Sequence, residues 1–271
     1  MQPATTPTSS SAASAAIETV LKRDRLVVIA GVLAVAGIAW AYLVYLAQGN
    51  NGMGMSMAMA QLTSWSAADF GLMFLMWAVM MTGMMVPSAA PMILLFATVN
   101  RRRKEQQGAY VATGFFLAGY ILVWSGFAAA TTVGNWALHV NDLLDKMMGG
   151  STSDYLGGSL LLAAGVFQWS RLKYVCLTHC RSPLSFLMGD WRDGTTGALR
   201  MGLQHGTYCV GCCWILMLLL FVLGVMNLLW IAALAGFVLL EKVVPQGQKV
   251  SRATGLLLVL WGALMISGVI T

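Results

Sequence analysis

Apolar residues in this chain come in long, nearly unbroken runs, and short segments between them hold most of the charge. Seven runs stand out, at residues 26–47, 69–99, 109–133, 155–172, 201–225, 227–240 and 254–270. Crossing the hydrocarbon core of a bilayer takes about 20 apolar residues in a helix. The pattern therefore predicts an all-α fold: a polytopic transmembrane helical bundle of about seven helices. The second run is too long for one straight span and contains Pro87 and Pro91, so a tilt, kink or break is expected there. The sixth is short and spans only if Glu241 and Lys242 sit at the membrane interface.

The segments between the runs set an orientation. Lys22, Arg23 and Arg25 precede the first run, and Arg101, Arg102, Arg103 and Lys104 follow the second. Arg171, Lys173, Arg181, Arg192 and Arg200 lie between the fourth and fifth, and Lys242, Lys249 and Arg252 between the sixth and seventh. These segments alternate as seven spans require. They place 15 of the 16 Lys and Arg residues on one side, with Lys146 the exception. Basic residues collect on the cytoplasmic side, so the amino terminus is expected in the cytosol and the carboxyl terminus outside, as in a multi-pass protein of a cell inner membrane. Residues 1–24 read as a disordered cytosolic tail and 25–271 as one transmembrane helical domain. The first run exceeds the roughly 7–15 residues of a signal-peptide core and reads as an uncleaved anchor.

Composition agrees. Hydrophobic residues make up 58% of the 271 and charged residues 10%, against about 25% charged in a soluble domain. The net charge of +6 follows from the basic loops. It marks the lipid bilayer as a partner and gives no sign of a nucleic-acid site. Among the outer loops, 48–67 carries no charge, and 134–154 contains WALHVNDLLDKMM, which reads as a short interfacial helix.

All five cysteines fall between residues 176 and 213, with two of the three histidines among them. The topology puts this region at the cytosolic side, where thiols stay reduced, so clustered cysteines there point to a metal or redox site. If the fourth helix continues to about residue 180, Cys176, His179 and Cys180 share one face, and Pro183 ends the helix. In the fifth helix His205, Cys209 and Cys213 are spaced four apart, with Cys212 beside them, and together they cover an arc of about 100°. Consecutive helices are neighbours in space, so the two faces are expected to form one site. Thiolate with imidazole suits Cu(I), with Zn(II) and iron–sulfur chemistry as alternatives. A buried thiolate needs a compensating charge, and Lys173 or Arg181 is in place to supply it when no metal is bound. Scattered cysteines would read as small apolar packing residues, but this density with two histidines does not.

Methionine repeats the soft-ligand theme. Met73, Met76, Met80, Met81, Met84 and Met85 crowd the second run, and Met92 follows. On a regular helix Met73, Met76, Met80 and Met84 form a stripe about 80° wide. Thioethers bind Cu(I) without burying charge, which makes Met80 and Met84 candidate ligands, although methionine is also ordinary packing material. In the first outer loop Met53, Met55, Met57 and Met59 alternate, which puts all four on one side of an extended segment. That tract reads either as a copper collector or as an interfacial apolar loop.

Four stretches together carry a resemblance. They are Trp77 to Met81 leading into Met85-Val-Pro87-Ser-Ala-Ala-Pro91-Met92; Lys173-x-x-Cys176-x-x-His179-Cys180-Arg181-Ser-Pro183; Gly202 through Cys209-Val-Gly-Cys212-Cys213-Trp214; and Glu241-Lys242 followed by Pro245. With these, the chain resembles the bacterial predicted metal-binding integral membrane proteins, a family without an assigned reaction. The resemblance covers about residues 70–250. It implies a membrane-embedded metal-binding protein and leaves the Met53–Met59 tract and the tail outside.

Three functions compete at this stage. The first is copper handling, meaning Cu(I) binding, transfer or transport from an outer methionine tract to an inner Cys/His site. The second is a thiol redox relay through Cys176/Cys180 and Cys209/Cys212. It is disfavoured because every cysteine lies toward one face, whereas a relay needs both. The third is an accessory subunit of a membrane metalloenzyme, which brings in a protein partner. An enzyme is not expected, since no Ser-His-Asp arrangement, P-loop or dinucleotide fingerprint is present. Carboxylates are almost absent from the spans. Glu241 is the exception, expected either to pair with Lys242 or to orient His205 or His179.

Overall fold

The computed structural model describes residues 9–48, 66–105, 113–141, 143 and 153–269, and among these the chain is helical with no strand. The helices are α1 (Ser9–Gln48), α2 (Ala67–Glu105), α3 (Thr113–Val140), α4 (Asp154–Phe167), α5 (Arg171–Arg181), α6 (Pro183–Gly189), α7 (Gly194–Leu218), α8 (Leu220–Leu223), α9 (Leu228–Val243) and α10 (Gly247–Ile266). The Met53, Met55, Met57 and Met59 tract and Lys146 lie outside the described residues; of the expected interfacial helix, residues 136–140 are the end of α3, and 142 and 144–148 lie outside the described residues. Helix α1 begins at Ser9, within the stretch read above as a tail; Ala12, Ala13, Ala15 and Ala16 there are strong helix formers.

Each apolar run coincides with a helix, but the runs are not equal. Among the described residues, five helical stretches are long and apolar enough to cross a membrane: Arg25–Gln48, Ala67–Arg101, Thr113–Val140, Gly194–Leu223 and Gly247–Ile266. Helix α4 has 14 residues and α9 has 16, both short of the about 20 a full span needs. The all-helical class agrees with expectation, but the number of spans does not match exactly: among the described residues five helices are long enough to cross, and α4 and α9 are shorter than a full span.

Two points of helix continuity follow from the structure. Pro87 and Pro91 lie inside α2, which runs through both without a break. Proline has no N–H to give the carbonyl four residues earlier, so Gly83 O loses its helical donor. Trp40 Nε1 on α1 takes that place at 3.3 Å. The fourth run, by contrast, does not carry one helix to residue 180. Helix α4 stops at Phe167, and Ser170 starts α5 by accepting the Lys173 N–H at 3.1 Å. Pro183 then opens α6.

Helix pairs approach closely where side chains are absent. A Cβ on Gly119 of α3 would meet Leu199 O of α7, and one on Gly202 would meet Phe116 O. Helices α4 and α10 meet in the same way: a Cβ on Gly158 would lie 2.9 Å from Gly262 O, and one on Gly165 2.8 Å from Gly255 O. Such small-residue seams let apolar helices gain contact where lipid offers no hydrophobic drive. Helix α1 lies along α2, α2 along α3, and α5 along α7, while α9 reaches α2, α5, α7 and α10. Met73, Met76, Met80, Met81, Met84, Met85 and Met92 are all buried, so the methionines of α2 fill the core on more than one stripe. Gly224, with φ of 93°, ends the run of α7 and α8.

Candidate metal centre

Helix α7 brings His205, Cys209, Cys212 and Cys213 into the interior, and all four are buried. Cys212 Sγ and Cys213 Sγ donate to Cys209 O at 3.1 and 3.0 Å, the local bonds that a thiol makes to the preceding turn of its own helix. Cys209 Sγ instead faces outward from α7 and collects partners from other helices. Lys242 Nζ of α9 donates to it at 3.0 Å, and Tyr120 Oη of α3 lies 3.1 Å away. The same Lys242 Nζ donates to Ser88 Oγ of α2 at 2.8 Å, and Tyr120 Oη donates to Met85 O at 3.0 Å. Met85 Sδ completes the group, 4.0 Å from Cys213 Sγ.

Helix α5 lays its cysteines on the other side of α7. Cys180 is partly exposed and lies near Cys209 and Cys212, whose sulfurs, first that of Cys209, together with burial push its thiol well above the ordinary value. Cys176 is buried, with Sγ over Gly211, where an added Cβ would lie 2.7 Å from the sulfur. Burial pushes its thiol up as well. All five thiols are free.

The histidines differ from each other. His205 is buried among Phe116, Tyr120 and Phe186, with ring centroids 6.1, 5.7 and 5.9 Å away. Its Nδ1 has no hydrogen-bond partner, and an unpaired buried nitrogen of this kind is what a cation would satisfy. His179 is partly exposed and stacks on Tyr208 at 4.4 Å. Its Nδ1 lies 2.8 Å from Val175 O, an acceptor only, so that nitrogen carries the proton and Nε2 is left as the ligating atom.

Cys180, Cys209, Cys212 and Cys213 are thus brought into one neighbourhood, with Cys176 against the adjoining turn of α7. Met80 and Met84 are buried in the apolar core of α2. The methionine sulfur that meets a cysteine is Met85, one residue off the stripe read from the sequence. The charges also differ from expectation. Glu241 does not pair with Lys242. Both its oxygens receive Lys173 Nζ, at 2.8 and 2.9 Å, in a salt bridge whose partners are 1% and 2% exposed. Lys173 is therefore committed elsewhere, and Arg181 donates to Val244 O and Pro245 O. The cation at the cysteines is Lys242. Sequence spacing held one clue to it: Lys242 follows Glu241, so on a helix the two point about 100° apart and reach different partners.

Among the described residues no three His, Cys, Asp or Glu side chains close around a single point. Cys212 and Cys213 are turned to a backbone carbonyl, and ligation requires them to rotate away, at about 1 kcal/mol for each hydrogen bond given up. The donor chemistry nevertheless suits a soft monovalent ion, since thiols and a thioether surround Cys209 and an imidazole lies one turn before it. No curated protein and no solved structure matches the chain. Residues 74–265, which hold every cysteine, both histidines of the cluster, Met85 and Lys242, match the family model described as PpoB2, copper chaperone, and the chain belongs to that family.

Proposed function

We propose that this protein is an integral membrane copper-handling protein that binds Cu(I) as cargo and passes it to an acceptor. The observation that carries this reading is the convergence of sulfur on Cys209. Helix α5 contributes Cys180, α7 contributes Cys212 and Cys213, and α2 contributes Met85 beside Cys213. The copper chaperone family supports a copper-related role, and the long apolar helices support a membrane setting. In this reading the chain crosses an inner membrane seven times from a cytosolic amino terminus, with α4 and α9 as the short spans. Met53, Met55, Met57 and Met59 gather Cu(I) outside, and Met80 and Met84 lie along its path. The ligands are drawn from Cys176, His179, Cys180, His205, Cys209, Cys212, Cys213 and Met85. Thioether outside and thiolate inside make affinity rise inward.

The test is metal stoichiometry of the full chain, purified in detergent under reducing conditions and loaded with Cu(I). Cys209→Ser should lose most of the bound copper, because serine is a poor soft-metal ligand, and His205→Ala should lose less. Copper binding should raise the melting temperature of the wild type and not of Cys209→Ser, since ligand binding adds to folding stability. Full copper binding by both Cys176→Ser and Cys209→Ser would overturn the shared site. Oxidation and reduction of the thiols without bound metal would favour the redox relay.

A further inference from the structure

The charge bookkeeping around Cys209 is unusual. Lys173 and Glu241 neutralise each other in their own buried pair. Among the described residues no carboxylate is in salt-bridge contact with Lys242. Its two hydrogen bonds go to the Ser88 hydroxyl and the Cys209 sulfur. The thiols of Cys212 and Cys213 are both turned to Cys209 O, and Cys180 lies beside Cys209. A unit positive charge is therefore built into the wall of a sulfur cluster, with one thiolate as its natural counter-ion.

We propose that Lys242 is a specificity-determining residue that makes the site select monovalent over divalent soft ions. The inference rests on the copper reading of the same cluster. An ion entering beside Cys209 comes close to the Lys242 ammonium. The repulsion doubles from a monocation to a dication at the same distance, and it is strong where water is scarce. The divalent competitor, Zn(II), also asks for four ligands, several of them thiolates, whereas Cu(I) accepts fewer. With Lys242 in place, the site tolerates Cu(I) against one or two thiolates and penalises Zn(II). Ser88 anchors the ammonium from the far side, so it stays near the sulfur. Arginine at 242 keeps the charge; methionine keeps the length without it; glutamine keeps N–H donors for Ser88 and Cys209 without it.

The experiment uses full-length wild type, Lys242→Met, Lys242→Gln and Lys242→Arg in detergent, each titrated with Cu(I) alone and Zn(II) alone against chelators of known affinity. Zn(II) affinity relative to Cu(I) should rise by about tenfold or more in the methionine and glutamine variants and stay within about threefold of wild type in the arginine variant. Glutamine serves as the second neutral variant if methionine impairs folding. A loss of fold alone would lower both affinities together and not move their ratio. An unchanged ratio in the neutral variants, with copper still bound by wild type, overturns the role of Lys242 and leaves the copper reading intact. Failure of wild type itself to hold Cu(I) overturns the copper reading and this inference with it.

Discussion

Cys209 is a hub because its neighbours in the chain do not compete for it. Cys212 and Cys213 donate to its carbonyl, while its sulfur meets Lys242 and Tyr120 from two other helices. Met85 is the partner most easily tested, because leucine has nearly its volume. Met85→Leu should cost less than about 1.5 kcal/mol of stability and yet weaken Cu(I) binding several-fold, read by chelator competition beside a thermal melt. Equal copper affinity would assign Met85 to packing. The spacing of His205, Cys209, Cys212 and Cys213 announced a soft-ligand face, since a helix converts spacing directly into direction. Tyr120, Met85 and Lys242 were not legible. They meet this group across separations of 89, 128 and 33 residues, respectively, and such meetings depend on how helices stack.

At the scale of elements, the apolar runs located the helices but not their interruptions. Two prolines suggested a tilt, kink or break in α2; the helix is unbroken, and α1 supplies the donor that Pro87 lacks through Trp40. The stop at Phe167 had a faint signal in the run over 155–172, since Gln168 and Ser170 are polar and Ser170 caps α5, but three residues between apolar neighbours are too short a break to read as a helix end. Trp40→Phe leaves Gly83 O without its donor and should cost about 1–3 kcal/mol, seen as a lower melting temperature with copper stoichiometry unchanged. The Lys173–Glu241 pair ties α5 to α9 beside the cysteines. Glu241→Gln strands a buried ammonium and should destabilise by about 3–5 kcal/mol. The double variant Lys173→Met with Glu241→Leu removes both charges and should recover most of that loss in the same melt. No recovery would mean that the pair fixes geometry as well as charge.

For the whole molecule the open question is how many times the chain crosses. A 14-residue helix is about 21 Å long, against a hydrocarbon core of about 30 Å. Counting only the five long helices would leave both termini where seven spans put them. It would, however, move Arg171, Lys173, Arg181, Arg192 and Arg200 to the outer side, against the rule that basic residues stay in the cytosol. A reporter fused at Gly194 separates the two arrangements: seven spans put it in the cytosol and five put it outside. Fusions at Arg103 and Gln248 should report cytosol, and those at Gly52 and Gly150 the exterior. Replacing Met53, Met55, Met57 and Met59 together with leucine should slow copper acquisition at low supply and leave the melting temperature unchanged.

The glycine seam between α3 and α7 has a kinetic consequence. Backbone touches backbone at Gly119 and Gly202, and Tyr120 and Cys209 stand on those same two helices. That pair forms a wall that cannot part without giving up its closest contacts. Helix α9 meets α7 through far fewer neighbours, and it is bounded by the positive-φ Gly224 and by the turn at Pro245. An ion held at Cys209 would then have one rigid wall, α3 with α7, and one wall, α9, fixed by side chains through the Lys173–Glu241 pair and the Lys242–Ser88 contact, so its residence time should respond to those side chains and not to the seam.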